Sequence, residues 1–91
     1  MLFKTTQTKE PEIDIPVPSY WREISTHPTY IAVINKEKVL DVYHTGEYSV
    51  VSKSTVHFKE DAIVRAYLNW IPITEEEFTM NLNIALYNIK N

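Results

Sequence analysis

Apolar and polar positions divide the chain into three stretches with different spacing. From Met1 to about Pro18 the apolar residues Ile13, Ile15 and Val17 alternate with polar or proline positions, and Pro11, Pro16 and Pro18 interrupt the stretch. Proline removes a backbone donor and blocks helix, so residues 1–18 are expected to form an extended arm. The alternation implies that one side of the arm lies on something apolar, either its own sheet edge or a neighbouring subunit; the alternative is a partly disordered tail.

Residues 20–70 carry β-type spacing. The β-branched run Tyr30-Ile-Ala-Val-Ile34, the polar Asn35-Lys-Glu-Lys38 and the run Val39-Leu-Asp-Val-Tyr43 together predict a hairpin. His44-Thr-Gly-Glu47 is the next break. Gly46 is the only glycine in the chain, and the expectation there is a positive φ. Tyr48 to Phe58 is again extended. From Ala62 to Trp70, period 2 places Ala62, Val64, Ala66, Leu68 and Trp70 on one side, which favours a half-buried strand. The competing reading is a second helix starting at Glu60.

The last stretch predicts a helix from Glu75 to about Lys90. Thr74 with Glu77 three residues on is a capping box, and Glu75, Glu76 and Glu77 suit the positive end of the helix dipole. At 100° per residue Phe78, Leu82, Ala85, Leu86 and Ile89 form the stripe expected to pack on the sheet. Met80, Ile84 and Tyr87 gather on roughly the opposite side, where an ordinary surface helix is polar. The fold expected is therefore α+β. An antiparallel sheet of about four strands is covered on one face by the C-terminal helix, with the arm of residues 1–18 attached to a single domain of residues 19–91.

Ninety-one residues with 44% hydrophobic and 23% charged positions make one globular domain of ordinary composition. Stability should be modest, roughly 5–9 kcal/mol, so a second subunit would add usefully to it. The net charge is −3 and lysines and arginines are scattered, so the basic face that phosphate neutralisation needs is missing and nucleic acid is not an expected partner. No apolar run approaches the ~20 residues of a membrane span, and Met1 to Lys9 holds no signal-peptide core. These features point to a cytoplasmic protein.

The chemistry on offer is sparse. With no cysteine there is no thiolate site and no disulfide. His27, His44 and His57 lack the short spacings of a zinc site, although His44 and His57 would meet across paired strands near Asp41 or Glu47. A Gly-x-Ser-x-Gly elbow and a glycine-rich phosphate loop are both missing. The expectation is a non-enzymatic protein without cofactor.

Residues Ala62-Ile-Val-Arg-Ala-Tyr-Leu-Asn-Trp70 and Ile71-Pro-Ile-Thr74-Glu-Glu-Glu-Phe78, continuing through Leu82, Ala85 and Leu86, resemble the opening strand–helix unit of bacterial STAS or SpoIIAA-like domains. The likeness covers about a third of the chain. It stops at that unit, because the further strands and helices and the phosphorylatable-serine loop of those domains have no counterpart here. The resemblance implies a protein-interaction role rather than catalysis.

Two functional readings follow. The first is a self-associating interaction module, dimer favoured, using Met80, Ile84 and Tyr87 with Ile13, Ile15 and Val17 of the arm. The second is a small-ligand or peptide-binding domain using an aromatic sheet face around Tyr43, Tyr48 and Tyr67.

Overall fold

A computed structural model describes residues 1–53 and 60–90. The elements run β1 (Leu2–Lys4), β2 (Glu12–Asp14), β3 (Ser19–Arg22), β4 (Thr29–Asn35), β5 (Lys38–His44), β6 (Ser49–Lys53), α1 (Glu60–Asn69), β7 (Ile71–Pro72) and α2 (Glu75–Lys90). The fold is α+β. One antiparallel sheet has the order β6-β5-β4-β3-β7, and β1 pairs with β2 in a separate two-stranded ribbon.

The central hairpin forms where four polar residues separate two β-branched runs. Asn35 pairs with Lys38, and the Asn35 side-chain oxygen accepts from the Glu37 amide at 2.8 Å. The ladder shifts register between Val33 and Asn35. At the far edge, β7 is two residues long and contains Pro72, which pairs with Trp21. Proline is tolerated on an edge because its missing donor faces no further strand.

Each face of the sheet carries its own core. On one face Trp21, Ile31, Val33 and Val39 pack with Ile63, Val64 and Ala66 of α1 and with Phe3 and Ile15 of the N-terminal ribbon. On the other, Ala32 and Val42 pack with Phe78 and Ala85 of α2, flanked by Tyr20, Tyr30, Ile34, Leu40 and Val51. The C-terminal helix covers one face as the sequence implies. The opposite face is covered too, by α1 and the ribbon.

Residues 62–69 are helical, with Trp70 just past the helix end, which corrects the strand reading and bears out its competitor. Alternation and helical spacing coincide over so short a run, but a strand would have turned Ile63 to the polar side. In α1, Ile63, Val64 and Ala66 are buried together, and Glu60 and Asp61 occupy the first turn, where carboxylates suit the dipole. Short β7 takes the sheet edge beside β3 instead.

The arm is not a loose appendage. Phe3 and Ile15 are fully buried, and Ile13 and Val17 pack at the rim of the same core. In this chain the alternating residues pack in the core beneath α1, on a face of the sheet and not at its edge. The loop joining β1 to β2 is pinned to α1 through Asp61. Its carboxylate accepts from the Thr5 hydroxyl at 2.8 Å, the Thr6 amide at 2.8 Å, the Thr6 hydroxyl at 3.1 Å and Gln7 Nε2 at 3.0 Å. Glu60 lies 3.0 Å from Lys36 Nζ, tying the β4–β5 turn to the same helix start.

These donors favour the ionised carboxylate. The Thr6 amide, then the Thr5 hydroxyl and the Gln7 amide, hold the Asp61 carboxyl down at about 2 against its usual 3.8. The Lys36 ammonium lowers that of Glu60 as well. A carboxyl more acidic folded than unfolded stabilises the fold above about pH 4 and loses that contribution as the pH falls toward 2. Asp61→Asn should therefore be less stable than wild type at neutral pH, with the gap closing on acidification. Urea unfolding at a series of pH values measures it, and a gap independent of pH would remove Asp61 from the account.

Gly46 does not need its expected positive φ, since no described glycine has one, and a Cβ placed there meets nothing within 4 Å. The β5–β6 turn is held instead by Thr45, whose amide donates to the Tyr48 carbonyl at 2.7 Å and whose hydroxyl accepts from the amides of Glu47 and Tyr48.

Candidate functional site

Helix α2 begins as its sequence dictates, with the Thr74 hydroxyl accepting from the Glu77 amide at 3.0 Å. It then crosses the sheet from β3 to β6. Near its start the Phe78 ring lies 5.6 Å from that of Tyr20 and Glu77 lies 3.8 Å from Arg22; near its end Asn88 donates to Ser49 at 3.2 Å. Burial, followed by the nearby Glu75 and Glu76 carboxylates, raises the Tyr20 phenol above its ordinary value.

The buried stripe is narrower than expected and includes one polar residue. Phe78, Asn81 and Ala85 are buried and Leu82 half-buried, whereas Leu86 and Ile89 are exposed in the part of the helix that reaches edge strand β6. Asn81 is accommodated because both ends of its amide are used. Its Nδ2 donates to the Glu77 carbonyl at 2.9 Å, so its oxygen accepts from His44 Nε2 at 2.8 Å. That arrangement puts a proton on Nε2. The His44 ring stacks on Tyr30 with centroids 5.8 Å apart. These contacts join β4, β5 and α2 and give His44 a structural post. Among the described residues no cluster of three or more His, Asp or Glu is placed to hold a metal. His27 is exposed, and His57 lies outside the described residues.

The outward side of α2 is apolar. Met80 is 56%, Ile84 40% and Tyr87 68% exposed. Together with Glu76, Thr79 and Asn83 they line an open hollow of about 860 Å³ whose wall comes entirely from this one helix. Three large apolar side chains in a row on an exposed helix face form a contiguous patch, which is more informative than scattered exposed residues. A second hollow of about 540 Å³ lies between the β1–β2 loop and the start of α1, around Thr5, Thr6, Glu12 and Asp61. The Asp61 hydrogen bonds that bridge it already assign it a clamping role.

The other sequence-derived candidates divide. Ile15 is spent in the protein's own core and Ile13 and Val17 border it, so these three do not continue the α2 patch. Tyr43 and Tyr48 do meet, edge to face at 6.2 Å, with Tyr48 exposed. Tyr67 is not on their strand face. It belongs to α1, where its ring packs edge-on against Trp21 at 5.7 Å. The helical state of residues 62–69 is what separates it from the other two. Sequence reading missed Glu76, Thr79 and Asn83 as walls of the hollow, because polar residues on an outward helix face give no hydrophobic signal.

The chain matches no known protein family, no curated protein and no solved structure. Among the described residues no helix is long and apolar enough to cross a membrane.

Proposed function

We propose that the protein is a self-associating interaction module whose docking surface is the outward face of α2. The observation that carries this reading is the exposed row Met80, Ile84 and Tyr87, on a helix whose other side already satisfies the core. The charges at the two ends of that face favour a second copy as occupant. Glu75 and Glu76 stand at its start and Lys90 in the last turn, so the face is electrostatically complementary to itself reversed.

The expected strength is modest. Fully burying an apolar side chain of this size is worth about 1.5–3 kcal/mol. Half-exposed residues retain roughly half of that, or about 4.5–9 kcal/mol over six side chains in a dimer. Association costs about 4–15 kcal/mol in lost freedom. The two ranges overlap, so the dimer expected is weak and concentration-dependent.

Sedimentation equilibrium tests this directly. The wild-type protein should pass from monomer to dimer as concentration rises, and Ile84→Asp, which sets a carboxylate in the apolar contact, should remain monomeric with unchanged thermal stability. A wild-type protein monomeric up to millimolar concentration would sink the reading.

A further inference from the structure

Resting on that self-association, we infer that two copies pair through α2 in antiparallel orientation, about a two-fold axis close to Asn83. The spacing on the outward face is the starting point. Glu76, Met80, Asn83, Tyr87 and Lys90 follow one another at intervals of four, three, four and three residues. Those are the intervals at which side chains of one helix seat between four side chains of a facing helix, here with apolar Met80 and Tyr87 on either side of Asn83 and charges at both ends.

The hollow on α2 has the matching form. Glu76, Thr79, Met80 and Asn83 stand at i, i+3, i+4 and i+7, and Met80, Asn83, Ile84 and Tyr87 repeat the pattern one step along. Each set of four encloses the space that a facing side chain enters in knobs-into-holes packing. The open surface hollow thus coincides with two successive sets of this kind.

The ends of the seam choose the direction. A parallel pair would set Glu76 beside Glu76 of the partner subunit and Lys90 beside Lys90 of the partner subunit, repulsive at both ends. The antiparallel pair sets Glu76 near Lys90 of the partner subunit, twice, by symmetry. It also brings Met80 toward Tyr87 of the partner subunit, a thioether against an aromatic ring. Asn83 falls at the axis and meets its own copy, where an amide both donates and accepts. Asn83 is the polar position between the two apolar ones, Met80 and Tyr87, and a polar residue so placed fixes register and orientation.

The protein has no cysteine, so single thiols report on the geometry without background. The variants Glu76→Cys, Asn83→Cys and Lys90→Cys all alter exposed positions. They are treated with a short bismaleimide at concentrations where sedimentation of the same samples shows dimer. Asn83→Cys should cross-link to itself. Glu76→Cys and Lys90→Cys should cross-link poorly alone, since in an antiparallel pair like positions at the ends lie roughly 21 Å apart along the axis. Mixed together they should give the mixed product. Self-linking of Glu76→Cys and of Lys90→Cys would establish a parallel pair and overturn the inference.

A dimer by sedimentation that links at none of these positions would overturn the α2 geometry while leaving self-association standing. Absence of any dimer would remove both. Charge exchange gives an independent readout. Glu76→Lys and Lys90→Glu should each weaken the dimer, roughly two- to fivefold as exposed ion pairs do, and the double variant should recover wild-type affinity. A double variant weaker than either single one would contradict the antiparallel pairing.

Discussion

Phe3→Ala should lower the unfolding free energy by about 3–5 kcal/mol, as removal of a buried aromatic ring does. Phe3 has no exposed surface, and its ring packs with Ile15 of the ribbon and Ile63 and Val64 of α1. It also has the Lys36 ammonium 5.7 Å from its centroid. A stretch containing three prolines would ordinarily be the part of a chain to truncate without loss, so the expected effect runs against intuition. For a protein of this size such a loss is a large share of total stability, and the variant should sit close to its unfolding midpoint at 37 °C. Leu2→Ala is the control, because Leu2 is half exposed and should change stability by no more than about 0.5 kcal/mol. Urea denaturation followed by tryptophan fluorescence compares the two. A cost below about 1 kcal/mol for Phe3→Ala would mean that the ribbon is dispensable to the fold.

Phe78→Ala should be of similar size, about 3–5 kcal/mol, and acts on the other side of the sheet. Its ring is almost wholly buried, lies 5.6 Å from that of Tyr20, and shares its core with Ala32, Val42 and Ala85. Few large side chains hold α2 down, since Asn81 and Ala85 are its other buried residues and Leu82 is only half covered. Removing Phe78 therefore takes most of the apolar grip from a helix whose asparagines give it little propensity of its own. Met80→Ala makes the informative contrast. It lies two residues on and faces outward, so monomer stability should stay within about 0.5 kcal/mol of wild type while dimerisation weakens. If the two substitutions cost the monomer alike, the assignment of inner and outer faces of α2 is incorrect.

What could be read from the sequence was what depends on near neighbours. The α2 start at Thr74, its extent to Lys90 and the hairpin turn at 35–38 are each specified by side chains within a few residues of the backbone they satisfy. The exposed row Met80, Ile84 and Tyr87 was legible for the same reason, as plain helical periodicity. Residues 62–70 were not, because nine residues satisfy both a two-residue and a 3.6-residue period, and the decision came from what Ile63 could bury against. That partner is the N-terminal ribbon, sixty residues away in sequence, which no local pattern announces. Asn81, of a residue type with low helix propensity, is a buried bridge to His44, a role visible only once β5 lies beneath it.

Strand β4 shows what two cores demand of one strand. Ile31 and Val33 point into one and Ala32 into the other, so apolarity alone does not tell one side of this strand from the other. Where one side of a sheet is wetted, slipping by a residue is punished by exposing oil and drowning charge. Here that penalty is small, and correct alignment falls to a few polar markers: Ser52 donating to Asp41 across β5 and β6, and His44 donating to Asn81. These fasteners act as a ruler, and stripping them out while keeping every hydrophobic residue should yield a chain that still collapses but no longer chooses a single alignment of its strands.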